Sequence, residues 1–236
     1  MSDATKHLLE NLNALAAGLF LLTGFGIVAT RQARGCLNLF IAQSLLLAAS
    51  AALLGLRYNS AHLYGVALVN LVSKPIIVPW LLRRTSPAGI YTRREIDQVL
   101  NIPTALLIAM ALAVGSYFVG IPLAKAVGPD VRGPNVPIGI AVLLLGAFTL
   151  TVRREALPLL IGLLAMENGA FLAGIAIARD LGMLVELAIA TDGLIIVFIM
   201  GVLVRAVQKQ VGTTAVGDLA SLKEGSPEAA ADEALL

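Results

Sequence analysis

The sequence predicts an all-α protein: a polytopic integral membrane helix bundle of about seven transmembrane helices, with the N-terminus outside and the C-terminus in the cytoplasm. Composition is the first observation behind this prediction. Of the 236 residues, 58% are hydrophobic and 14% are charged, and the mean hydropathy is +0.88. Soluble domains carry about 25% charged residues, so the lipid bilayer is the expected environment.

The spacing of apolar segments is the second observation. A transmembrane helix needs roughly 20 apolar residues to cross a hydrocarbon core about 30 Å thick. Seven such segments follow one another, and most connections between them are too short to hold a soluble catalytic domain. They cover residues 12–30, 35–56, 61–82, 102–125, 136–152, 156–178 and 183–204.

The first segment follows Lys6 and could be a secretory signal peptide. Its apolar run is longer than the core of such a signal, Asp3 and Glu10 precede it, and no A-x-A cleavage pattern closes it. We therefore expect a transmembrane helix that stays in the protein.

The third segment carries a lysine beside helix-breaking residues. In SKPIIVP, Lys74 precedes Pro75 and Pro79, which lack the N–H group that a helix backbone donates. The pattern predicts a kink beside a buried ammonium group, with freed carbonyl groups facing protein or internal water. The alternative is a kinked packing helix in which Lys74 extends toward Trp80 and the cytoplasmic interface.

The sixth and seventh segments each carry a carboxylate near the predicted midplane, Glu167 in MENG and Asp192 in ATDG. A charged residue at this depth costs about 2.5 to 3.5 kcal/mol. Together with Lys74, these residues predict a proton relay, because three costly groups of mixed sign favour function over packing. For Glu167 the alternative is a protonated carboxyl group bonded to a neighbouring helix, with Ala170 and Gly174 on the same face.

Other polar residues in the segments are accessory candidates. Glu186 lies only about one turn into the seventh segment, so an interfacial position is an alternative to a functional one. Asn70, Gln43 and Ser73 could extend a polar interior, although single amides and hydroxyls more often form hydrogen bonds between helices.

Two stretches outside the spans have a different composition, and the chain divides accordingly. Residues 83–101 combine four arginines with apolar side chains, which predicts an amphipathic piece at the membrane surface. The sequence thus predicts three helices and this piece in 1–101, four helices in 102–206, and a water-exposed, partly disordered cytoplasmic tail in 207–236.

Charge sets the orientation and excludes several functions. One side of the predicted bundle holds 11 Lys and Arg residues and the other holds 5, with Lys74 inside a helix, so the positive-inside rule places the tail in the cytoplasm. A net charge of +2 without a basic stripe argues against nucleic-acid binding. One cysteine and two histidines cannot supply a four-cysteine iron–sulfur site or a structural zinc site, so redox chemistry must belong to a partner.

Four motifs along the chain form a recognisable set: SKPIIVP, MENGAFLAG, LVELAIATDG and, in the tail, VGDLASLKEG. Together they resemble hydrogenase-4 component E, a membrane subunit of complex I-like group 4 nickel–iron hydrogenase and formate hydrogenlyase systems. The resemblance implies a multi-pass subunit of the inner (cytoplasmic) membrane. Such a subunit has no redox centre of its own and belongs to the membrane arm that couples redox chemistry to proton translocation.

Partners follow from the same resemblance. It implies antiporter-like membrane subunits, a membrane anchor subunit, and peripheral hydrogenase and iron–sulfur subunits that would hold the iron–sulfur clusters and the NiFe centre; no cofactor is expected in this chain. Two alternatives stay open. One is a structural or assembly subunit that seals antiporter-like modules. The other is a stand-alone ion transporter, which the lack of a clear inverted repeat disfavours.

Residues 136–206 are also similar to the K-type subunit of NADH:quinone oxidoreductase, in which an arginine pair leads into a helix with a buried glutamate. Here Arg153 and Arg154 match the pair in a cytoplasmic loop, and Asn168 matches a following asparagine. A second family glutamate, on the next helix, aligns with Asp192.

The first family glutamate aligns with Leu164, and Glu167 lies three residues later. A shift of three residues keeps nearly the same helix face and moves the carboxyl group by about 4.5 Å along the axis. The resemblance therefore implies a relay role for Glu167 by face and depth.

Overall fold

The computed structural model of the chain describes residues 3–80, 99–127, 134–177 and 198. Helices dominate these residues, which contain no β-strand. Within this part of the chain, six helices are long and apolar enough to cross a membrane. They are α1, Asp3–Ala29; α2, Ala33–Tyr58; α3, Ala61–Val72, continuing through a π-helical turn, Ser73–Ile77, to Trp80; α4, Ile102–Val127; α5, Asn135–Val152; and α6, Ala156–Ile177.

The predicted all-α membrane bundle is confirmed, and the first six predicted spans coincide with α1 to α6. The predicted seventh span at 183–204, most of the surface piece at 83–101 and the tail at 207–236 lie outside the described residues. The count of seven helices and their orientation in the membrane stay predictions.

The start of α1 differs from the prediction. The helix begins at Asp3, nine residues before the predicted span, and its first turns are polar and exposed. An acidic residue at a helix N-terminus interacts favourably with the helix dipole. Lys6 Nζ lies 3.3 Å from Asp3 Oδ1, and His7 Nδ1 lies 3.5 Å from Glu10 Oε2. Hydropathy marks only the apolar part of such a helix, so it could not locate this polar extension.

A tight connection makes α2 and α3 an antiparallel pair. Asn59 adopts the left-handed conformation with φ of 50°, and its N–H group bonds to the Gly55 carbonyl at the end of α2. Asparagine tolerates this conformation better than most residues. A side chain at Gly55 would contact Leu63 of α3, so the two helices approach closely near the connection.

Backbone contact joins α5 and α6 along their length. A methyl group at Gly139 would lie 2.6 Å from the Ala173 nitrogen, and one at Gly146 would lie 2.5 Å from the Met166 nitrogen. Small residues permit this close approach, which supports helix association in lipid through van der Waals contact.

By contrast, α4 has one small-residue face and one large apolar face. Ala105, Ala109, Ala113 and Ser116 are buried on the first face. Phe118 is 77% exposed on the second, which continues along the helix with other bulky apolar residues. Such a face suits contact with lipid hydrocarbon, because lipid tails are as apolar as these side chains.

Two apolar clusters lie one above the other in the interior. The first packs Phe40 of α2, Val78 of α3 and Ile161 of α6 together. The second packs Leu47 of α2 and Leu172 of α6 with residues of α1, α3 and α5. Between the two clusters, α2, α3 and α6 each bury polar side chains, and this layer contains the candidate site.

Candidate functional site

A π-helical turn, Ser73–Ile77, lies in α3 where the sequence predicts a kink. Within it the N–H group of Val78 bonds to the Ser73 carbonyl, five residues back. Pro75 and Pro79 cannot donate to the backbone ladder, which explains why the regular helical pattern fails here. Single π-helical turns of this kind occur frequently at functional sites.

Lys74 lies on this turn and points into the bundle. Only 3% of its surface is exposed, and its Nζ lies 2.9 Å from Glu167 Oε1 and 2.7 Å from Asn168 Oδ1 on α6. The same Nζ lies 5.5 Å from the centre of the Phe171 ring. The alternative in which Lys74 extends toward Trp80 and the interface is therefore wrong, because its ammonium group is held by α6.

Asn168 connects this ion pair to α2. Its Nδ2 donates to Gln43 Oε1 and to Ser44 Oγ, each at 3.2 Å, and Ser44 Oγ in turn donates to the Phe40 carbonyl at 2.9 Å. Gln43, Ser44 and Asn168 have no exposed surface. We define the central polar layer as Gln43, Ser44, Asn70, Lys74, Glu167 and Asn168.

Glu167 is the partly open member of the central polar layer. Its side chain is 21% exposed, whereas Leu164, which aligns with the K-type glutamate, is buried in the first apolar cluster. Ala170 is exposed and Gly174 has open space beside it. The two small residues of the packing alternative therefore lie outside the close packing of α6, which uses Gly162 and Gly169.

The remaining predicted residues fall in different places. Asn70 is buried one turn before Lys74, and its Nδ2 donates to the Val66 carbonyl at 3.0 Å. The carboxylates Asp192 and Glu186 lie outside the described residues. The structure thus brings Lys74, Glu167 and Asn168 together and places Asn70 beside them, on the same face of α3.

Arg153 and Arg154, predicted as a cytoplasmic loop pair, differ in position. Arg153 is 3% exposed, and its Nη2 donates to the carbonyls of Ile27 and Val28, each at 2.9 Å, and of Thr30 at 2.6 Å. Carbonyl groups at the end of a helix lack helical partners and attract cations. Burial lowers the pKa of the Arg153 guanidinium. Arg154 is exposed.

A second polar group lies between the N-terminal half of α1, the C-terminal part of α2 and the start of α5. Asn13 Nδ2 donates to Asn135 Oδ1 at 2.9 Å, Ser50 Oγ donates to Asn13 Oδ1 at 2.6 Å, and Asn135 Nδ2 donates to Ser50 Oγ at 3.1 Å. All three side chains are buried. We call this set the asparagine triad. The triad could not be predicted from the sequence, because no spacing links positions 13, 50 and 135.

Comparison with known proteins finds relatives that match nearly the whole chain. The chain is 27% identical to hydrogenase-4 component E of Escherichia coli over 210 residues, which cover 88% of this chain and 95% of that protein. The chain is therefore homologous to hydrogenase-4 component E over most of its length. It is also 29% identical to the uncharacterized protein Rv0085 of Mycobacterium tuberculosis over 224 residues, covering 95% of this chain and all of that protein. No family model and no solved structure matches the chain.

The chemistry available to this component E homologue follows from its side chains. Among the described residues, no group of three His, Cys, Asp or Glu side chains could hold a metal ion. The central polar layer instead offers an ammonium and a carboxylate in direct contact, supported by amides that can donate and accept hydrogen bonds. Such an arrangement suits proton transfer. The similarity of residues 136–206 to the K-type subunit stays a prediction.

Proposed function

We propose that the chain is a non-redox membrane-arm subunit of a hydrogenase-4-type complex and that Lys74, Glu167 and Asp192 take part in its coupled proton translocation. The observation that supports this proposal is the contact of 2.9 Å between Lys74 Nζ and Glu167 Oε1 inside the helix bundle. The Escherichia coli relative is a component of hydrogenase-4, and we infer a complex of the same kind for this chain. Redox centres would belong to the partner subunits.

The energetics of the ion pair favour a functional role over simple packing. Burying two opposite charges costs several kcal/mol per ion before their attraction offsets it, and an apolar pair of similar volume is often as stable. A proton that moves from the Lys74 ammonium to the Glu167 carboxylate converts the ion pair into a neutral pair. Asn168 can serve both states, because its amide oxygen accepts a hydrogen bond from either form of the lysine.

We include Asp192 because its position in the predicted seventh helix places it at about the same depth as Glu167. Glu167 lies ten residues before the end of α6 at Ile177, which is about 15 Å along the axis. Asp192 lies nine residues into the predicted span 183–204, which is about 14 Å. A connection of five residues favours antiparallel neighbours. The partly exposed carboxyl group of Glu167 then has a second carboxylate at its own depth.

The test compares conservative variants within the native complex. Glu167→Gln and Asp192→Asn keep the size of each side chain and remove the titrating proton, and Lys74→Met removes the ammonium group. We expect each complex to assemble while proton translocation per turnover, measured in reconstituted vesicles, falls by roughly tenfold or more. Asp3→Asn, at the exposed first residue of α1, is the control and should leave translocation unchanged.

A structural role is the second candidate, because the Asn168 amide ties α2, α3 and α6 together. On this alternative the charged residues hold the helices for assembly, and translocation depends only on how much complex forms. Reduced assembly with normal translocation per assembled complex would favour it. Normal assembly and normal translocation in all three variants would exclude the relay.

A further inference from the structure

Two side-chain atoms of the central polar layer have neither a hydrogen-bond partner nor an ion-pair partner within the described part of the chain. They are Nε2 of Gln43, a donor, and Oδ1 of Asn70, an acceptor. Both residues are buried, with 0% and 3% of their surfaces exposed. An unpaired buried polar atom loses its bonds to water without compensation, so most such atoms in folded proteins are paired with protein or with ordered water.

The pairing of α2 with α3 places these two atoms at neighbouring levels. Gly55 lies against Leu63 near the connection, and Phe40 and Val78 share one apolar cluster at the far end. This antiparallel register puts Gln43 level with Lys74, and it puts Asn70 one helical turn away, about 6 Å along the axis. A water molecule is bent, so two hydrogen bonds of about 2.9 Å join atoms roughly 4.5–5 Å apart, and the Gln43 and Asn70 side chains supply the remaining reach.

The surroundings of the two atoms are polar enough to hold water. Gln43 Oε1 is already bonded to Asn168, whose own Oδ1 accepts from Lys74, so the free Gln43 N–H lies close to the ammonium group. Pro75 in the adjoining π-helical turn and Pro79 just after it have no N–H group to donate to the backbone carbonyls. Internal water needs two to four polar partners, and this layer provides a donor, an acceptor and a neighbouring cation.

We propose that Gln43 Nε2 and Asn70 Oδ1 bind an internal water molecule beside Lys74, on the α2 and α3 side of the ammonium group and away from Glu167. The Gln43 amide donates to the water oxygen, and the water donates to the Asn70 carbonyl. The site gives Lys74 a hydrated neighbour in addition to the carboxylate. A role of this water molecule in proton movement rests on the proposed function, whereas the binding of the water does not.

Infrared spectroscopy of the full chain in lipid nanodiscs tests the site directly. Exchange into water labelled with oxygen-18 shifts the O–H stretching bands of bound water and leaves protein N–H and C=O bands in place. We expect one labelled band in the wild-type chain that is lost in both Gln43→Met and Asn70→Leu. Ser50→Ala, in the fully paired asparagine triad, is the matched control and should keep the band.

Thermal unfolding of the same variants gives an independent readout. If one water bonds both residues, each single substitution leaves a polar atom unpaired and lowers the Tm by roughly 2–4 °C, and the double substitution lowers it no further. Additive or stabilising effects, with no labelled band lost, would overturn the proposal. Loss of additivity without a labelled band would also overturn it, because a side chain from residues 178–236 would then be the partner. Neither readout depends on proton translocation, so the relay can fail while the water site holds.

Discussion

The asparagine triad and the central polar layer are both buried polar groups between helices, yet their hydrogen bonds are arranged differently. In the triad, Asn13, Ser50 and Asn135 bond to one another in a closed ring of neutral groups. The central polar layer contains a charged pair, two unpaired amide atoms and a carboxyl group that is partly exposed. A closed neutral ring stabilises the fold and has nothing left to exchange. An incompletely paired, charged layer can gain or lose protons.

The first prediction tests the charge difference between these regions and has the largest expected effect. Glu167→Leu leaves the Lys74 ammonium without its counter-ion and should destabilise the chain by about 3–5 kcal/mol. Adding Lys74→Met removes the unpaired charge and should restore most of that loss. Unfolding of the full chain in mixed micelles with increasing dodecyl sulfate measures both variants. If the double variant is no more stable than Glu167→Leu alone, the two charges are not coupled in the folded chain.

Arg153 provides an intermediate case, a buried charge whose partners are fixed backbone carbonyls. Arg153→Met leaves the carbonyls of Ile27, Val28 and Thr30 without this donor and should cost about 3 kcal/mol. The neighbouring Arg154→Met changes an exposed residue and should have almost no effect on the same unfolding curve. Equal losses from the two variants would contradict the different positions of these arginines.

A smaller loss is expected in the asparagine triad. Asn135→Leu breaks the ring and leaves Asn13 and Ser50 partly unpaired, at a cost of about 1–2 kcal/mol. Because the triad carries no charge, proton translocation per assembled complex should match the wild type. A translocation defect in fully assembled Asn135→Leu complexes would place the triad on the proton route and remove the functional distinction between the two regions.

The smallest effect is expected on the exposed face of α4. Phe118→Leu keeps an apolar side chain in a position that contacts no core, so stability should change by less than about 0.5 kcal/mol. Chemical unfolding of the purified chain gives this baseline, against which the other variants are compared. A loss above 1 kcal/mol would mean that Phe118 packs against protein.

The parts of the site that could be predicted from sequence are the residues with a high free-energy cost in an apolar helix. Lys74 and Glu167 stood out because a charge in an apolar segment is expensive, and SKPIIVP indicated an irregular backbone because proline cannot donate. Hydropathy located six spans for the same kind of reason. For Gln43 the sequence predicts only a possible hydrogen bond between helices. Its hydrogen bond with Asn168 joins positions 125 apart, which no local pattern encodes.

Arg153 and Arg154 show the same limit at adjacent positions. Their side chains are chemically identical, so the sequence could predict only a basic loop. Which one enters the bundle depends on how the chain leaves α5 and on where α1 ends, since the buried one bonds to carbonyls more than 120 positions away. Tertiary packing decides such choices.

The backbone contact between α5 and α6 also bears on how the site can move. Helices that touch through glycines along their length have no room to slide or rotate separately, so Glu167 and Asn168 are carried by a stiff pair. Lys74 is carried by a π-helical turn with fewer backbone bonds. Any change in the Lys74–Glu167 separation therefore originates in α3. In hydrogen-exchange measurements, the amide protons of Ser73–Ile77 should exchange with solvent deuterium before those in the middle of α5 and α6.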